Sequence, residues 1–273
     1  MQIIYVILLR IKLLNDYPKM IDTHIHIDGE EFRDDLAEVV KRAKDAGCEM
    51  MLVPAINLES IKTVPEVCRQ FPDFMRPMMG LHPEDVKADW QEVLQKLKPF
   101  LKGCIAVGEV GLDYYWNREY ETEQLLAFEE QVRWSIETRL PLMIHCRKAQ
   151  NEMVRLLRKY KDELPGGVFH CFTGNAHEAE ELLEFKNFML GIGGVLTFKK
   201  SNLPETLREA VPLQRIVLET DAPYMAPVPM RGKRNESAYI IYIKEKLAEI
   251  YGTTADEVDR ITTETAKKMF GLY

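Results

Sequence analysis

Short apolar segments alternate with longer amphipathic segments eight times after Met20, and this alternation limits the possible folds more than any other feature. The short segments have the length and β-branched character of buried strands, whereas the longer ones carry apolar residues at helical spacing. Repeated strand–helix units build a parallel sheet, because each helix returns the chain to the start of the next strand. Eight such units close a barrel. The sequence therefore predicts an α/β protein with a TIM-type (β/α)8 barrel.

The eight apolar segments are the predicted strands. They are Ile21–Ile25, Met50–Pro54, Arg76–Leu81, Ile105–Glu109, Leu142–His145, Gly167–Phe169, Met189–Ile192 and Ile216–Glu219. A final helix is predicted from about Ala255 to Phe270. No linker or low-complexity tract interrupts this pattern, so residues 20–273 are predicted to form one domain.

Residues 1–19 precede this pattern and need a separate interpretation. Their apolar run, Ile3 to Leu9, is too short to span a bilayer. Arg10 and Lys12 follow the run instead of preceding it, which does not fit a signal peptide. We interpret residues 1–19 as an N-terminal extension that is not part of the native domain, and we expect a cytoplasmic protein without a membrane anchor.

Composition narrows the kind of partner that the chain can bind. The formal net charge of −7 argues against a protein that holds nucleic acid through a broad basic surface. The five cysteines form no C-x-x-C pair, so neither a disulfide framework nor a thiolate zinc site is indicated. An anionic substrate would need local positive charge, supplied by metal ions or by a basic loop.

Histidines and carboxylates cluster at the ends of the predicted strands. His24 and His26 end the first strand, and side chains two residues apart in an extended segment point to the same side. The other candidates lie at or just past the ends of strands three, four, five, six and eight: His82, Glu109, His145, His170 and Asp221. TIM barrels place their active sites where these ends meet. The pattern predicts one site built from these side chains.

Imidazole and carboxylate donors without cysteine suit zinc, manganese, cobalt or magnesium. Without His82 there are six such ligands, which exceed the need of one ion, so two divalent ions per chain are predicted. Paired ions can polarise a phosphoryl or carbonyl oxygen and activate water. Singly, each residue also has a structural interpretation: Glu109 as a buried ion-pair partner, Asp221 as a turn cap, and His145 or His170 as core histidines.

Basic residues and aromatic residues follow the same strands. Arg147 comes two residues after His145, while Arg231, Lys233 and Arg234 lie in the loop after strand eight. They are predicted to contact phosphate, with an ordinary solvated loop as the alternative.

Four aromatic residues also lie beyond strands four and eight. They are Tyr114, Tyr115, Trp116 and Tyr224. These rings could stack on nucleic-acid bases or could equally be packing residues.

Seven ordered motifs now identify a resemblance. They are Asp22-Thr-His-Ile-His, Gly80-Leu-His-Pro, Gly108-Glu-Val-Gly-Leu-Asp-Tyr, Leu142-Met-Ile-His-Cys-Arg, His170-Cys-Phe-Thr-Gly, Glu219-Thr-Asp-Ala-Pro and Arg231-Gly-Lys-Arg-Asn-Glu. From Met20 to the C-terminus the chain resembles the TatD family of metal-dependent deoxyribonucleases, within the amidohydrolase-type barrels.

The resemblance implies a role for each candidate. The ligands implied for the first ion are His24, His26, Glu109 and Asp221, and those for the second are Glu109, His145 and His170. Asp221 would also take the proton from the attacking water. His82 and Glu219 would orient the substrate or the ligands.

The resemblance further implies a magnesium- or manganese-dependent exonuclease that acts 3′ to 5′ on single-stranded nucleic acid, with a possible role in DNA repair. Imidazole-rich ligation favours zinc on affinity grounds, so the metal stays open. A hydrolase of C–N or ester bonds in small molecules is the alternative, because the same barrel serves both chemistries. A noncatalytic binding protein is a third interpretation. The oligomeric state stays open, monomer included.

Overall fold

The computed structural model describes residues 19–116 and 118–273, so the proposed extension over residues 1–19 lies outside the described residues except for Lys19. Eight parallel strands form one sheet in sequence order. They are β1 (Met20–Asp22), β2 (Cys48–Ala55), β3 (Met75–Met79), β4 (Val107–Asp113), β5 (Leu142–Arg147), β6 (Gly167–Phe169), β7 (Phe188–Ile192) and β8 (Ile216–Leu218).

The sheet closes between its first and last strands through backbone hydrogen bonds. The amide of Thr23 donates to the carbonyl of Leu218 at 3.0 Å, and the amide of Asp221 donates to the carbonyl of His24 at 2.9 Å. The amide of His26 donates to the carbonyl of Ala222 at 2.8 Å. The predicted (β/α)8 barrel is therefore confirmed.

Helices connect the strands and form the outer layer. The α-helices of the described residues are α1 (Leu36–Asp45), α2 (Ser60–Gln70), α3 (Trp90–Leu97), α4 (Glu121–Thr138), α5 (Gln150–Arg158), α6 (Ala176–Leu183), α7 (Leu203–Ala210), α8 (Ile240–Tyr251) and α9 (Ala255–Phe270). The last of these confirms the predicted final helix. Within the described part of the chain, no helix has the length and apolar character needed to cross a bilayer.

The barrel interior is filled by apolar side chains below the site. One cluster combines Ile21, Leu52, Met78, Met143, Val168 and Val217 from six strands with Ala106, Ala266 and Phe270. The last two belong to α9, which packs against β1 and β8. This packing closes the barrel floor, so polar side chains meet at the opposite, C-terminal end.

Strand β4 extends further than the sequence pattern predicted. The expected segment was Ile105–Glu109, whereas β4 continues to Asp113, which pairs with Arg147 of β5. Gly111 allows this pairing, because its φ is +143° and a Cβ atom there would lie 1.9 Å from the carbonyl oxygen of His145. Glu109 therefore lies within the strand instead of at its end, and the end position belongs to Asp113.

Candidate metal centre

Four donor atoms meet at the junction of β1, β4 and β8, and we call them the first donor group. They are His24 Nε2, His26 Nε2, Glu109 Oε2 and Asp221 Oδ1. Glu109 Oε2 lies 3.2 Å from His24 and 3.5 Å from His26, and the two imidazole nitrogens are 3.2 Å apart. Asp221 Oδ1 lies 3.7 Å from His26 and 4.0 Å from His24.

This spacing fits the ligands of one ion. Metal–ligand bonds of about 2.1 Å separate neighbouring ligands by roughly 3 to 3.5 Å in tetrahedral or octahedral geometry. Five of the six atom pairs in the first donor group are 3.2 to 4.0 Å apart, slightly wider than that range. Two imidazoles and two carboxylates suit a divalent cation.

The other carboxylate oxygen of Glu109 faces three imidazoles, and these four side chains form the second donor group. Glu109 Oε1 lies 3.1 Å from His145 Nδ1, 3.3 Å from His82 Nε2 and 3.8 Å from His170 Nε2. The His170 ring also stacks on His24 at a centroid distance of 3.6 Å. All six candidate ligands are thus brought together, but His82 lies closer to Glu109 than His170 does. His170 Nε2 also lies 3.7 Å from Asp221 Oδ1, so this imidazole adjoins both donor groups.

Two buried carboxylates contact imidazoles of the second donor group. Asp113 Oδ2 lies 2.9 Å from His145 Nε2, and Glu219 Oε1 lies 3.1 Å from His170 Nδ1. Glu219 needs Gly191 beside it, because a Cβ atom there would lie 2.1 Å from its Oε2. A carboxylate on the far nitrogen of an imidazole fixes the orientation of the ring.

The sequence analysis included Asp113 in a motif but assigned it no role. It follows Glu109 by four residues, so both side chains point to the same side of an extended strand. That spacing would have identified Asp113 if β4 had been predicted at its full length.

The carboxylates control the charge of the second donor group. Burial disfavours the charged form of His145, but its contacts with Asp113 and Glu109 outweigh burial and raise its pKa to about 9. Burial likewise opposes charging of His170, yet Glu219, Asp221 and Glu109 raise its pKa to about 10. In the absence of a metal, both imidazoles are therefore protonated on both ring nitrogens and positively charged at neutral pH.

In the first donor group the histidine pKa values are shifted in the opposite direction, downward. Burial and the neighbouring charge of His170 keep the pKa of His24 well below its usual range, and burial lowers the pKa of His26 to about 4. Burial also raises the pKa of Asp221 to about 7. For Glu109 burial acts in the same upward direction, but the surrounding imidazoles hold its pKa well below normal. Because their pKa values are lowered, His24 and His26 are neutral at neutral pH.

A buried carboxylate also fixes the backbone beneath the first donor group. Asp22 Oδ1 accepts hydrogen bonds from the amides of Thr220 at 2.9 Å and His24 at 3.3 Å. Asp22 Oδ2 accepts from the hydroxyls of Thr220 at 2.6 Å and Ser237 at 2.5 Å. Asp22 thus holds the end of β1 against the segment that carries Asp221. Sequence reasoning quoted Asp22 within a motif but assigned it no role.

The four predicted phosphate ligands have different surroundings. Arg234 is held by Asp35 at 2.7 and 2.8 Å, whereas the exposed Arg231 lies 3.9 Å from the ring of Phe198. Lys233 is exposed. Arg147 lies over the ring of Tyr115, beyond the end of β5.

Comparisons with known proteins agree with this architecture. A model of the family described as TatD related DNase matches residues 21–271. YabD of Bacillus subtilis, described as an uncharacterized metal-dependent hydrolase, is 37% identical over 255 residues, which cover 93% of this chain and 99% of YabD. TatD of Edwardsiella piscicida, described as a 3′-5′ ssDNA/RNA exonuclease, is 32% identical over 260 residues, covering 93% of this chain and all of that protein.

Solved structures give the same result. The crystal structure of YjjV, a TatD homologue from Escherichia coli, superposes with a TM-score of 0.85 at 27% identity and covers 93% of this chain and 99% of YjjV. A TatD family hydrolase of Entamoeba histolytica, at 20% identity and a TM-score of 0.80, covers 92% of this chain and 98% of its own and supports the fold alone. The predicted family is confirmed, and the chain belongs to the TatD-related DNase family of metal-dependent hydrolases.

Proposed function

We propose that this protein hydrolyses phosphodiester bonds in single-stranded nucleic acid, removing nucleotides from the 3′ end. The observation that carries the proposal is the arrangement of two donor groups around one carboxylate, Glu109. Two adjoining cation sites suit a phosphodiester, whose attacking and leaving oxygens both need stabilisation. The exonuclease activity of the relative from E. piscicida supports the substrate class.

In this proposal two divalent ions, either Mg²⁺, Mn²⁺ or Zn²⁺, bind to each chain. His24, His26, Glu109 and Asp221 hold one ion, and Glu109, His145 and His170 hold the other, with His82 beside them. When bound, the ions would polarise the scissile phosphate and lower the pKa of water. Asp221 accepts the proton of the attacking water, a role supported by its place between the donor groups, 3.7 Å from His26 and 3.7 Å from His170. Glu219 orients His170.

Basic side chains at the barrel mouth position the strand. Arg147 and Arg231 are the best supported, because no carboxylate oxygen among the described residues lies within 4.0 Å of their guanidinium groups. Lys233 is exposed and adds to the same positive field. Arg234 is engaged by Asp35, so we assign it chiefly to holding the loop. A cytoplasmic location and a contribution to DNA repair are further parts of the proposal.

The proposal is tested with metal-stripped protein, a 5′-labelled single-stranded oligonucleotide and added Mg²⁺, Mn²⁺ or Zn²⁺. Asp221→Asn, purified identically, controls for contaminating nuclease. We expect stepwise shortening from the 3′ end by the wild type and none by the variant. Equal products from the two proteins would contradict the proposal and direct the search to amide and ester substrates of small molecules.

A further inference from the structure

We propose that Tyr115, Trp116 and Arg147 form a stacking shelf for one unpaired base of the substrate strand, beside the metal centre. The shelf rests on the proposed function in that it takes single-stranded nucleic acid as the substrate. It adds a specific recognition element to that function, because it assigns base contact to one short loop after β4 and one residue at the end of β5.

The two aromatic rings are exposed to a degree that packing does not explain. Trp116 is 65% exposed and Tyr115 is 51% exposed, whereas Trp134 on α4 is 1% exposed. The rings meet edge to face, with centroids 4.9 Å apart and an interplanar angle of 84°. Large apolar surface left in water at the rim of an active site marks a place where a ligand binds.

Arg147 gives this surface a positive charge. Its guanidinium carbon lies 3.7 Å from the ring centroid of Tyr115 and 5.1 Å from that of Trp116. Within residues 19–116 and 118–273 no carboxylate oxygen lies within ion-pair distance of this guanidinium. Aromatic rings next to an unneutralised arginine bind single strands, since the rings stack on bases while the cation attracts the phosphates.

The register of β4 and β5 fixes the position of the shelf relative to the metal centre. In the ladder between β4 and β5, Gly111 pairs with His145 and Asp113 pairs with Arg147, so the shelf begins two residues beyond a candidate ligand. The amide of Tyr114 donates to the carbonyl of Arg147 at 2.9 Å. A base on the shelf therefore belongs to a nucleotide near the scissile phosphate.

One carboxylate joins the shelf to the centre. Asp113 Oδ1 accepts hydrogen bonds from the amides of Tyr115 at 2.8 Å and Trp116 at 3.4 Å. Its other oxygen, Oδ2, lies 2.9 Å from Nε2 of His145. The same side chain thus holds the aromatic loop and a candidate ligand in register. Stacking on an open ring also requires a base that is free of its partner strand, which favours single strands over duplexes.

The shelf is tested by equilibrium binding. Metal-loaded wild type, Trp116→Ala, Trp116→Phe and Tyr115→Ala are titrated into a fluorescein-labelled, phosphorothioate-linked single strand, and anisotropy is measured. Phe100→Ala is the matched control, because Phe100 is 45% exposed but precedes β4, at the other end of the barrel. Metal content and hydrolysis of bis(p-nitrophenyl) phosphate, which has no base, are measured in parallel.

We expect Trp116→Ala to weaken binding by roughly 5- to 100-fold, with most of the affinity kept by Trp116→Phe and all of it by Phe100→Ala. Metal content should stay at the wild-type level, which separates loss of base contact from damage to the metal centre. Strands that each carry one abasic position, at different locations, are compared with the intact strand. At one location the missing base should weaken binding to the wild type, whereas Trp116→Ala should bind all of these strands equally.

Equal affinities of the wild type and Trp116→Ala would overturn the shelf, as would a loss of affinity that accompanies loss of metal. If the wild type hydrolyses an unmodified strand and both proteins bind the phosphorothioate strand equally well, the shelf is removed and the proposed function is kept. If the wild type binds the phosphorothioate strand through Trp116 but hydrolyses neither the unmodified strand nor the small phosphodiester, the shelf is kept and the proposed function is removed.

Discussion

The first and second donor groups share Glu109 but hold their imidazoles in different ways. In the second group Asp113 lies within hydrogen-bond distance of the far ring nitrogen of His145, and Glu219 lies 3.1 Å from that of His170, at ion-pair distance but without hydrogen-bond geometry. In the first group His24 Nδ1 has no hydrogen-bond partner among the described residues, and its backbone amide is bound by Asp22 instead. One group is oriented through its side chains and the other through its backbone.

This difference separates the charge states of the two groups. At His24 and His26 burial has the largest influence on the pKa and prevails over the neighbouring carboxylates, so both rings are neutral. At His145 and His170 the adjacent carboxylates prevail, so these rings are charged without metal. A ligand imidazole must be neutral to bind a cation. The two groups should therefore differ in how metal binding depends on pH and on the supporting carboxylates.

The largest effect is expected from replacing Glu109, the carboxylate that the two donor groups share. Glu109→Gln leaves both groups with a weaker oxygen donor in place of a carboxylate. We expect metal content to fall at both sites and activity to fall by more than about 100-fold, beyond the usual cost of altering residues that only support ligands. Elemental analysis and oligonucleotide hydrolysis measure these changes. Glu180→Gln, on the exposed surface of α6, is the control. Loss of only one ion would show that the groups do not share Glu109.

The pH dependence of metal binding should distinguish the groups most directly. The pKa values of His145 and His170 are raised to about 9 and about 10, so an entering ion displaces two protons below pH 9 and fewer as pH rises through these values. Affinity of the second group should rise with pH by up to roughly 100-fold per unit.

Burial raises the pKa of Asp221 to about 7, so the first group has few protons left to lose above pH 8. Its affinity should therefore change little from pH 8 to 9. Calorimetric titration of Zn²⁺ in buffers of different ionisation enthalpy counts the protons released in each step. Equal release in both steps would contradict the proposed difference between the groups.

A smaller effect is expected when the supporting carboxylates are neutralised. Asp113→Asn and Glu219→Gln remove the charges behind His145 and His170. We expect affinity of the second group to fall by roughly 10- to 100-fold while the first group keeps wild-type affinity. Sequential Mn²⁺ titration resolves the two steps, and each variant is the matched control for the other. A parallel loss at both groups would indicate a general disturbance of the barrel mouth.

The smallest effect on metal binding is expected at Asp22, whose contribution is to stability. Asp22→Ala leaves the amides and hydroxyls that donate to this carboxylate without an acceptor in a buried site. We expect the free energy of unfolding of the metal-free protein to fall by about 2 to 4 kcal/mol, measured by urea denaturation. Asp22→Asn should lose less, since it keeps one acceptor oxygen. A variant as stable as the wild type would show that β1 and β8 are joined without Asp22.

The sequence predicted the positions of some strands well, but it did not predict which side chains contact each other. Strand β6 was predicted with its observed bounds because its short apolar run ends at polar residues. Strand β4 was predicted too short because Gly111 and Asp113 look unfavourable for a strand when read locally. Their place in the ladder depends on the facing residues of β5. That error left Asp113 without a predicted role, although this carboxylate contacts both His145 and the aromatic loop.

By itself the sequence determined the barrel, the family and the set of side chains that meet at its mouth, because strand periodicity and motif order are local properties of the chain. Only the tertiary structure decided which carboxylate supports which imidazole, and that Asp35 engages Arg234 from 199 residues away. Such pairings arise from strand register and loop packing. Both are set by contacts between distant segments, so no local pattern encodes them.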